Sequence, residues 1–156
     1  MKKKVVSWLL LLLPLLIGLG SAIITKDMMV EYGDMKKPFL SPPGNIFPIV
    51  WTVLYLLMGI GAALVYTSNT NNVENKKMGL VFHVVQLILN FFWSIIFFNA
   101  KEYLLAFIWL VLLWLAVLSM LLNYKNVSKT AYFLNIPYIV WLTFAGYLNL
   151  AVFILN

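Results

Sequence analysis

The chain has 156 residues, of which 63% are hydrophobic and only 10% are charged. Soluble domains average about a quarter charged residues and cannot bury so much apolar surface at this length, so the composition excludes a soluble enzyme, a disordered tail and a nucleic-acid-binding module. The net charge of +6 is typical of a membrane protein that uses lysines to set its topology.

Five apolar runs follow one another along the chain. They cover residues 5–25, 46–66, 79–98, 103–122 and 131–155, and none contains Asp, Glu, Lys or Arg. A helix spans the hydrocarbon core with about 20 apolar residues, and a backbone in lipid must satisfy its own hydrogen bonds. The runs predict an all-α membrane protein, with residues 1–156 forming a single domain of five transmembrane helices.

The first run also has the pattern of a signal peptide. Lysines at positions 2–4 precede an apolar stretch that ends in the small residues 20–22. The run exceeds the apolar core of about 7–15 residues found in most signals. We therefore expect it to be retained as the first helix.

Lysines are distributed unevenly between the two ends of the predicted bundle. Seven lie before the first helix or in the second and fourth connections, and four lie in the first and third connections. Because cytoplasmic loops are enriched in Lys and Arg, we expect a cytoplasmic amino terminus and an external carboxyl terminus in the bacterial cell membrane.

The first connection, residues 26–45, is long and carries apolar and aromatic side chains. Among them are Met28, Met35 and Phe39, followed by the sequence SPPG at positions 41–44. Loops of this length in compact proteins are functional or disordered. Two interpretations remain open: a lid over a cavity, or an interfacial loop that rests on lipid headgroups.

Three of the predicted helices each carry a stripe of polar and aromatic residues at steps of three and four. The stripes are Trp51, Tyr55, Met58/Gly59, Ala62 and Tyr66; His83, Gln86, Asn90, Trp93/Ser94 and Phe97; and Asn135, Tyr138, Trp141/Leu142, Ala145 and Asn149. Polar residues in membrane helices face the bundle interior. The stripes predict either a pocket with apolar walls and a few hydrogen-bonding groups, or interhelical hydrogen bonds that only hold the bundle together.

Residues for metal or acid–base chemistry are scarce in the sequence. His83 is the only histidine, there is no cysteine, and no carboxylate lies within an apolar run. We therefore expect no metal site, no cofactor and no proton-coupled antiport. Two pairs of small residues, Gly18 with Ala22 and Gly59 with Ala63, allow close helix contact of the kind that supports oligomers.

Three strings in this order resemble the TspO/MBR family of tryptophan-rich sensory proteins and translocator proteins. Residues 38–59 match P-x-x-x-P-P-G followed by F, V-W and L-Y-x-x-M-G. Residues 86–98 match Q-L-x-L-N-x-x-W-S-x-x-F-F, and residues 137–149 match P-Y-x-x-W-x-x-F-A-x-x-L-N. The resemblance spans the whole chain.

This resemblance implies a five-helix bundle, usually a homodimer, that binds porphyrins such as protoporphyrin IX, or other flat hydrophobic molecules, under the first loop. Carried over, the ligand-binding residues are Tyr32, Pro42, Trp51, Tyr55, Asn90, Ser94, Trp141 and Ala145. Some bacterial members promote light- and oxygen-dependent porphyrin breakdown, for which the catalytic residues here would be Trp51 and Trp141.

The chain departs from the family at two places. Phe39 stands where the family often has Trp, and no Lys or Arg follows Lys129, so the sterol motif of animal members lacks its basic residue. Three functions remain: a porphyrin-binding receptor or carrier, a porphyrin-degrading enzyme, and a regulatory or structural membrane protein. The expected partners are a porphyrin, membrane lipid and a second copy of the chain, with no nucleic acid.

Overall fold

Five helices account for nearly all of the computed structural model, which describes residues 2–32 and 35–156, with side chains for residues 3–26 and 35–156. The helices are α1 (Lys2–Tyr32), α2 (Ile46–Thr67), α3 (Val73–Ser94), α4 (Tyr103–Lys125) and α5 (Lys129–Leu155). A π-helical turn, Ile95–Asn99, continues α3. All five helices are long and apolar enough to cross a membrane, which confirms the predicted all-α five-helix bundle.

The helices extend beyond the apolar runs at their polar ends. Helix α1 continues past residue 25 to Tyr32, which shortens the first connection to residues 33–45. Helix α3 begins at Val73 rather than 79, and Glu74 in its first turn favours the helix dipole. Hydropathy marks the hydrocarbon-spanning part of a helix, whereas the backbone continues the helix into the headgroup region.

The five helices form a closed ring in the order α1, α2, α5, α4 and α3. Helix α1 packs extensively on α2 and more lightly on α3, and α5 packs on both α2 and α4. Large apolar side chains cover the outside, including Trp8, Leu16 and Ile154, each more than half exposed. An exposed apolar exterior is the surface expected to face lipid.

Two glycines allow α1 and α2 to approach closely. The ring of Tyr55 lies against Gly18, and the backbone of Leu11 lies against Gly59. A side chain at either position would overlap these atoms, so both glycines are used in packing within the chain. A role of the small-residue pairs in an oligomer stays a prediction.

Candidate functional site

A cavity of about 210 Å³ lies inside the ring, near the ends of the helices that carry the first connection. Helices α1, α2, α3 and α5 and the π-helical turn form its walls. The described lining residues are Gly18, Ser21, Ala22, Thr25, Gly44, Phe47, Pro48, Trp51, Tyr55, Trp93, Ser94, Phe97, Phe98, Trp141, Ala145, Leu148 and Asn149. None of them carries a charge, so the cavity suits an uncharged, largely apolar guest.

Aromatic rings dominate two walls of the cavity. Trp51 stacks on Tyr55 with ring centroids 5.5 Å apart and meets Tyr138 edge-on at 6.2 Å. On the α5 side, Phe47 meets Trp141 edge-on at 6.0 Å. Such arrangements hold aromatic faces in fixed orientations, which leaves planar surfaces for a guest to contact.

The π-helical turn presents a second aromatic group to the cavity. The Ala100 amide donates to the Ile95 carbonyl over 3.0 Å, which widens the helix by one residue. Trp93 stacks on Phe97 at 5.3 Å, and Phe98 lies edge-on to Phe97 at 4.9 Å. π-Helical turns recur at functional sites, and this one coincides with a cavity wall.

A buried hydrogen-bonded chain lies behind the aromatic rings. The Tyr55 hydroxyl donates to Asn90 Oδ1 at 2.8 Å, and Asn90 Nδ2 donates to the Tyr138 hydroxyl at 3.1 Å. The Tyr138 hydroxyl in turn donates to Gln86 Oε1 at 2.8 Å. The side chains of these four residues hydrogen-bond to one another across α2, α3 and α5. Their polar groups therefore hold the helices in register behind the cavity and are already used within the protein.

The indole of Trp141 brings a hydrogen-bond donor to the cavity wall. Trp141 Nε1 is buried and has no hydrogen-bond partner among the described residues. The corresponding nitrogen of Trp93 already donates to Asn149 Oδ1 at 3.1 Å. A guest that places an acceptor atom beside Trp141 would gain a hydrogen bond otherwise left unmade.

The residues chosen from the sequence have different places in this geometry. Trp51, Tyr55, Ser94, Trp141 and Ala145 line the cavity together. Asn90 lies behind Tyr55, where its side chain is 1% exposed and hydrogen-bonded on both sides.

Among the predicted residues whose side chains the structure describes, Asn90 and Pro42 do not line the cavity. Pro42 lies in the first connection, where Gly44 is the one described residue that forms part of the cavity wall. The side chain of Tyr32 lies outside the described residues. The ligand-binding role of the whole set stays a prediction.

The wall formed by α1 is not among the three stripes predicted from the sequence. Gly18, Ser21, Ala22 and Thr25 face the cavity from this helix. Their spacing of three and four residues was the available signal, because small residues recur where membrane helices pack closely. The strong apolar character of the run obscured that stripe.

His83 does not join the cavity. Its side chain is fully buried, and neither ring nitrogen has a hydrogen-bond partner among the described residues. No group of three or more His, Cys, Asp or Glu residues with metal-site geometry occurs in the described part of the chain.

Comparison with known proteins identifies related sequences over most of the chain. A sequence model of the TspO/MBR family matches residues 10–155. The chain is 36% identical to the tryptophan-rich protein TspO of Chlorobaculum tepidum, covering 88% of this chain and 86% of that protein. It is 38% identical to protein CrtK of Rhodobacter capsulatus, covering 80% of this chain and 78% of that protein. It is 32% identical to the human translocator protein, covering 85% of this chain and 79% of that protein.

Proposed function

Because the chain belongs to the TspO/MBR family, we propose that it is a receptor or carrier for porphyrins, which bind in the cavity between α1, α2, α3 and α5. It is an integral membrane protein with five apolar helices. The observation that carries the proposal is an uncharged cavity walled by three tryptophans, Trp51, Trp93 and Trp141. A flat macrocycle gains from stacking on indole and phenol faces.

The ionised groups of a porphyrin also fit this arrangement. Its propionates would cost several kcal/mol in the centre of the bilayer, so we expect them at the cavity mouth, near Gly44. Lys36 and Lys37 lie in the same connection. The cavity volume of about 210 Å³ is below the roughly 300–1,000 Å³ of drug-sized sites, so a macrocycle requires the mouth to widen.

A dark titration of protoporphyrin IX into detergent-purified protein tests this proposal. Binding is followed by the quenching of tryptophan fluorescence in the wild type, Trp51→Phe and Trp141→Phe. Trp8→Phe is the matched control, because Trp8 is 63% exposed on the outside of α1. We expect saturable binding that weakens in the two cavity variants and stays unchanged in the control.

The opposite result has a clear meaning. Quenching that does not saturate, and is equal in all four proteins, would show that the porphyrin only partitions into micelles. The protein would then be better described as a regulatory or structural membrane protein without a porphyrin ligand.

A second candidate function is light- and oxygen-dependent porphyrin degradation. The contact of Trp51 with both Tyr55 and Tyr138 favours it, because adjoining indole and phenol rings can exchange electrons with an excited porphyrin. Oxygen is the oxidant in this proposal. Illumination of the complex in air should convert the porphyrin to products in the wild type and less so in Trp51→Phe or Trp141→Phe, at matched occupancy. Unchanged porphyrin after illumination would exclude degradation.

The proposal also covers the orientation of the chain, the membrane in which it lies and its oligomeric state. The lysine distribution supports a cytoplasmic amino terminus in the bacterial cell membrane. In this orientation the cavity mouth and the first connection lie on the external side. A homodimer is proposed from the family alone.

A further inference from the structure

We propose that the turn at residues 38–41 is an interfacial anchor, whose tip, Phe39 and Leu40, inserts among phospholipid headgroups. Phe39 is 99% exposed and Leu40 is 61% exposed. The Ser41 amide donates to the Pro38 carbonyl over 3.0 Å and closes the turn, so that both side chains project from its tip. This inference does not depend on what the cavity binds.

The turn is held rigidly at both sides. On one side, Asn156 Nδ2 donates to the Lys36 carbonyl at 3.0 Å, and the Lys36 amide donates to Asn156 Oδ1 at 3.2 Å. On the other side, the Ile46 amide donates to the Pro43 carbonyl at 3.0 Å, where α2 begins. Three prolines, at positions 38, 42 and 43, restrict the backbone between these points. These contacts and prolines restrict the movement of the turn back over its apolar tip.

The helix that follows the turn carries lipid-facing apolar side chains in its first turns. Ile49 and Val53, one and two turns into α2, are 60% and 50% exposed. Ile49 follows Leu40 by nine residues along the chain. An aromatic side chain at the membrane–water boundary is in the region where such rings are enriched.

Charge favours a phospholipid surface. The first connection, residues 33–45, contains two basic residues, Lys36 and Lys37, and one acidic residue, Asp34. Apolar tips beside basic residues suit an anionic interface. Gly44 is the one described residue of this segment that lines the cavity, so the tip is outside the cavity wall.

Site-specific labelling tests the anchor, because the natural chain has no cysteine. Phe39→Cys is labelled with an environment-sensitive fluorophore in the full chain, which is then reconstituted into phosphatidylcholine vesicles with and without phosphatidylglycerol. Asn71→Cys, exposed in the connection between α2 and α3, carries the same label as a control. We expect a blue-shifted emission at position 39, strong quenching by brominated lipid and several-fold weaker quenching by aqueous iodide than at position 71.

The remaining outcomes would overturn the anchor. Iodide quenching at position 39 equal to that at position 71 would place the tip in water. Equal lipid quenching at both positions would mean that the fluorophore itself partitions into the membrane. A blue shift without lipid quenching would place the tip against protein, in a closed lid or a second copy.

In the supporting case, Leu40→Ser in the labelled protein should reduce the lipid quenching.

Discussion

At the scale of single residues, Tyr138 connects the parts of the buried polar chain. Its hydroxyl accepts from Asn90 and donates to Gln86, while its ring meets Trp51 edge-on. The polar stripes predicted from the sequence therefore serve two purposes. Asn90 and Gln86 hold the helices together, and Trp51 and Trp141 line the cavity.

We expect Tyr138→Phe to destabilise the bundle by about 1 kcal/mol, because Asn90 and Gln86 each lose a hydrogen-bond partner in a buried site. The measurement is the free energy of unfolding in mixed detergent micelles. Tyr147→Phe is the control, since Tyr147 is 43% exposed. Equal unfolding free energies for the two variants would show that the hydrogen bonds of the Tyr138 hydroxyl contribute nothing to stability.

Gly59 gives a second prediction at this scale. A Cβ atom here would lie against the Leu11 carbonyl oxygen and 2.9 Å from Leu11 Cα, so Gly59→Ala should push α1 away from α2. We expect a loss of about 1–3 kcal/mol, measured as a lower thermal denaturation midpoint in detergent. Gly20→Ala is the control, because a Cβ atom there would meet Phe91 Cε2 at an ordinary contact distance of 4.0 Å. A similar loss in Gly20→Ala would contradict the packing argument.

At the scale of elements, the first connection is attached to the end of α5. The side chain of Asn156 hydrogen-bonds to both the amide and the carbonyl of Lys36. The Tyr103 hydroxyl donates to Met35 Sδ at 3.6 Å. Asn149 Nδ2 donates to the Tyr103 carbonyl at 2.8 Å, and Asn149 Oδ1 accepts from Trp93. Contacts therefore run from the connection to a cavity wall.

Removing the Asn156 side chain should loosen this attachment. Two hydrogen bonds of about 1 kcal/mol each hold Lys36, so Asn156→Ala should speed trypsin cleavage after Lys36 by up to about thirtyfold. Cleavage is followed by mass spectrometry in detergent. Asn71→Ala, at the other end of the bundle, should leave the cleavage rate unchanged. A cleavage rate in Asn156→Ala equal to that of the wild type would mean that other contacts hold the connection.

At the scale of the whole molecule, five helices in the ring order α1, α2, α5, α4 and α3 place the first connection and the start of α4 at one end. The connections between α2 and α3 and between α4 and α5 lie at the other end. An odd number of spanning helices puts the two termini on opposite sides of the membrane. The lysine bias then predicts which end is cytoplasmic.

Labelling of intact bacterial cells tests this orientation. A membrane-impermeant maleimide should label Asn45→Cys, which is exposed before α2, and should label Asn71→Cys only after the cells are opened. The absence of natural cysteine keeps the background low. The reverse pattern would place the cavity mouth on the cytoplasmic side.

The sequence by itself determined the membrane class, the number of helices and most of the aromatic cavity residues. These properties follow from local composition and from the helical period, which each segment carries on its own. Its three motifs also identified the family before any contact was known.

Only the tertiary structure decided which residues of each helix line the cavity and which pack against other helices. It placed α1 as a cavity wall, set Asn90 behind Tyr55, used Gly18 and Gly59 within the chain, and showed Phe39 facing away from the protein. The physical reason is that a cavity forms where helices distant in sequence fail to fill the space between them. That outcome depends on the relative rotation and spacing of the helices, which periodicity within one helix does not define.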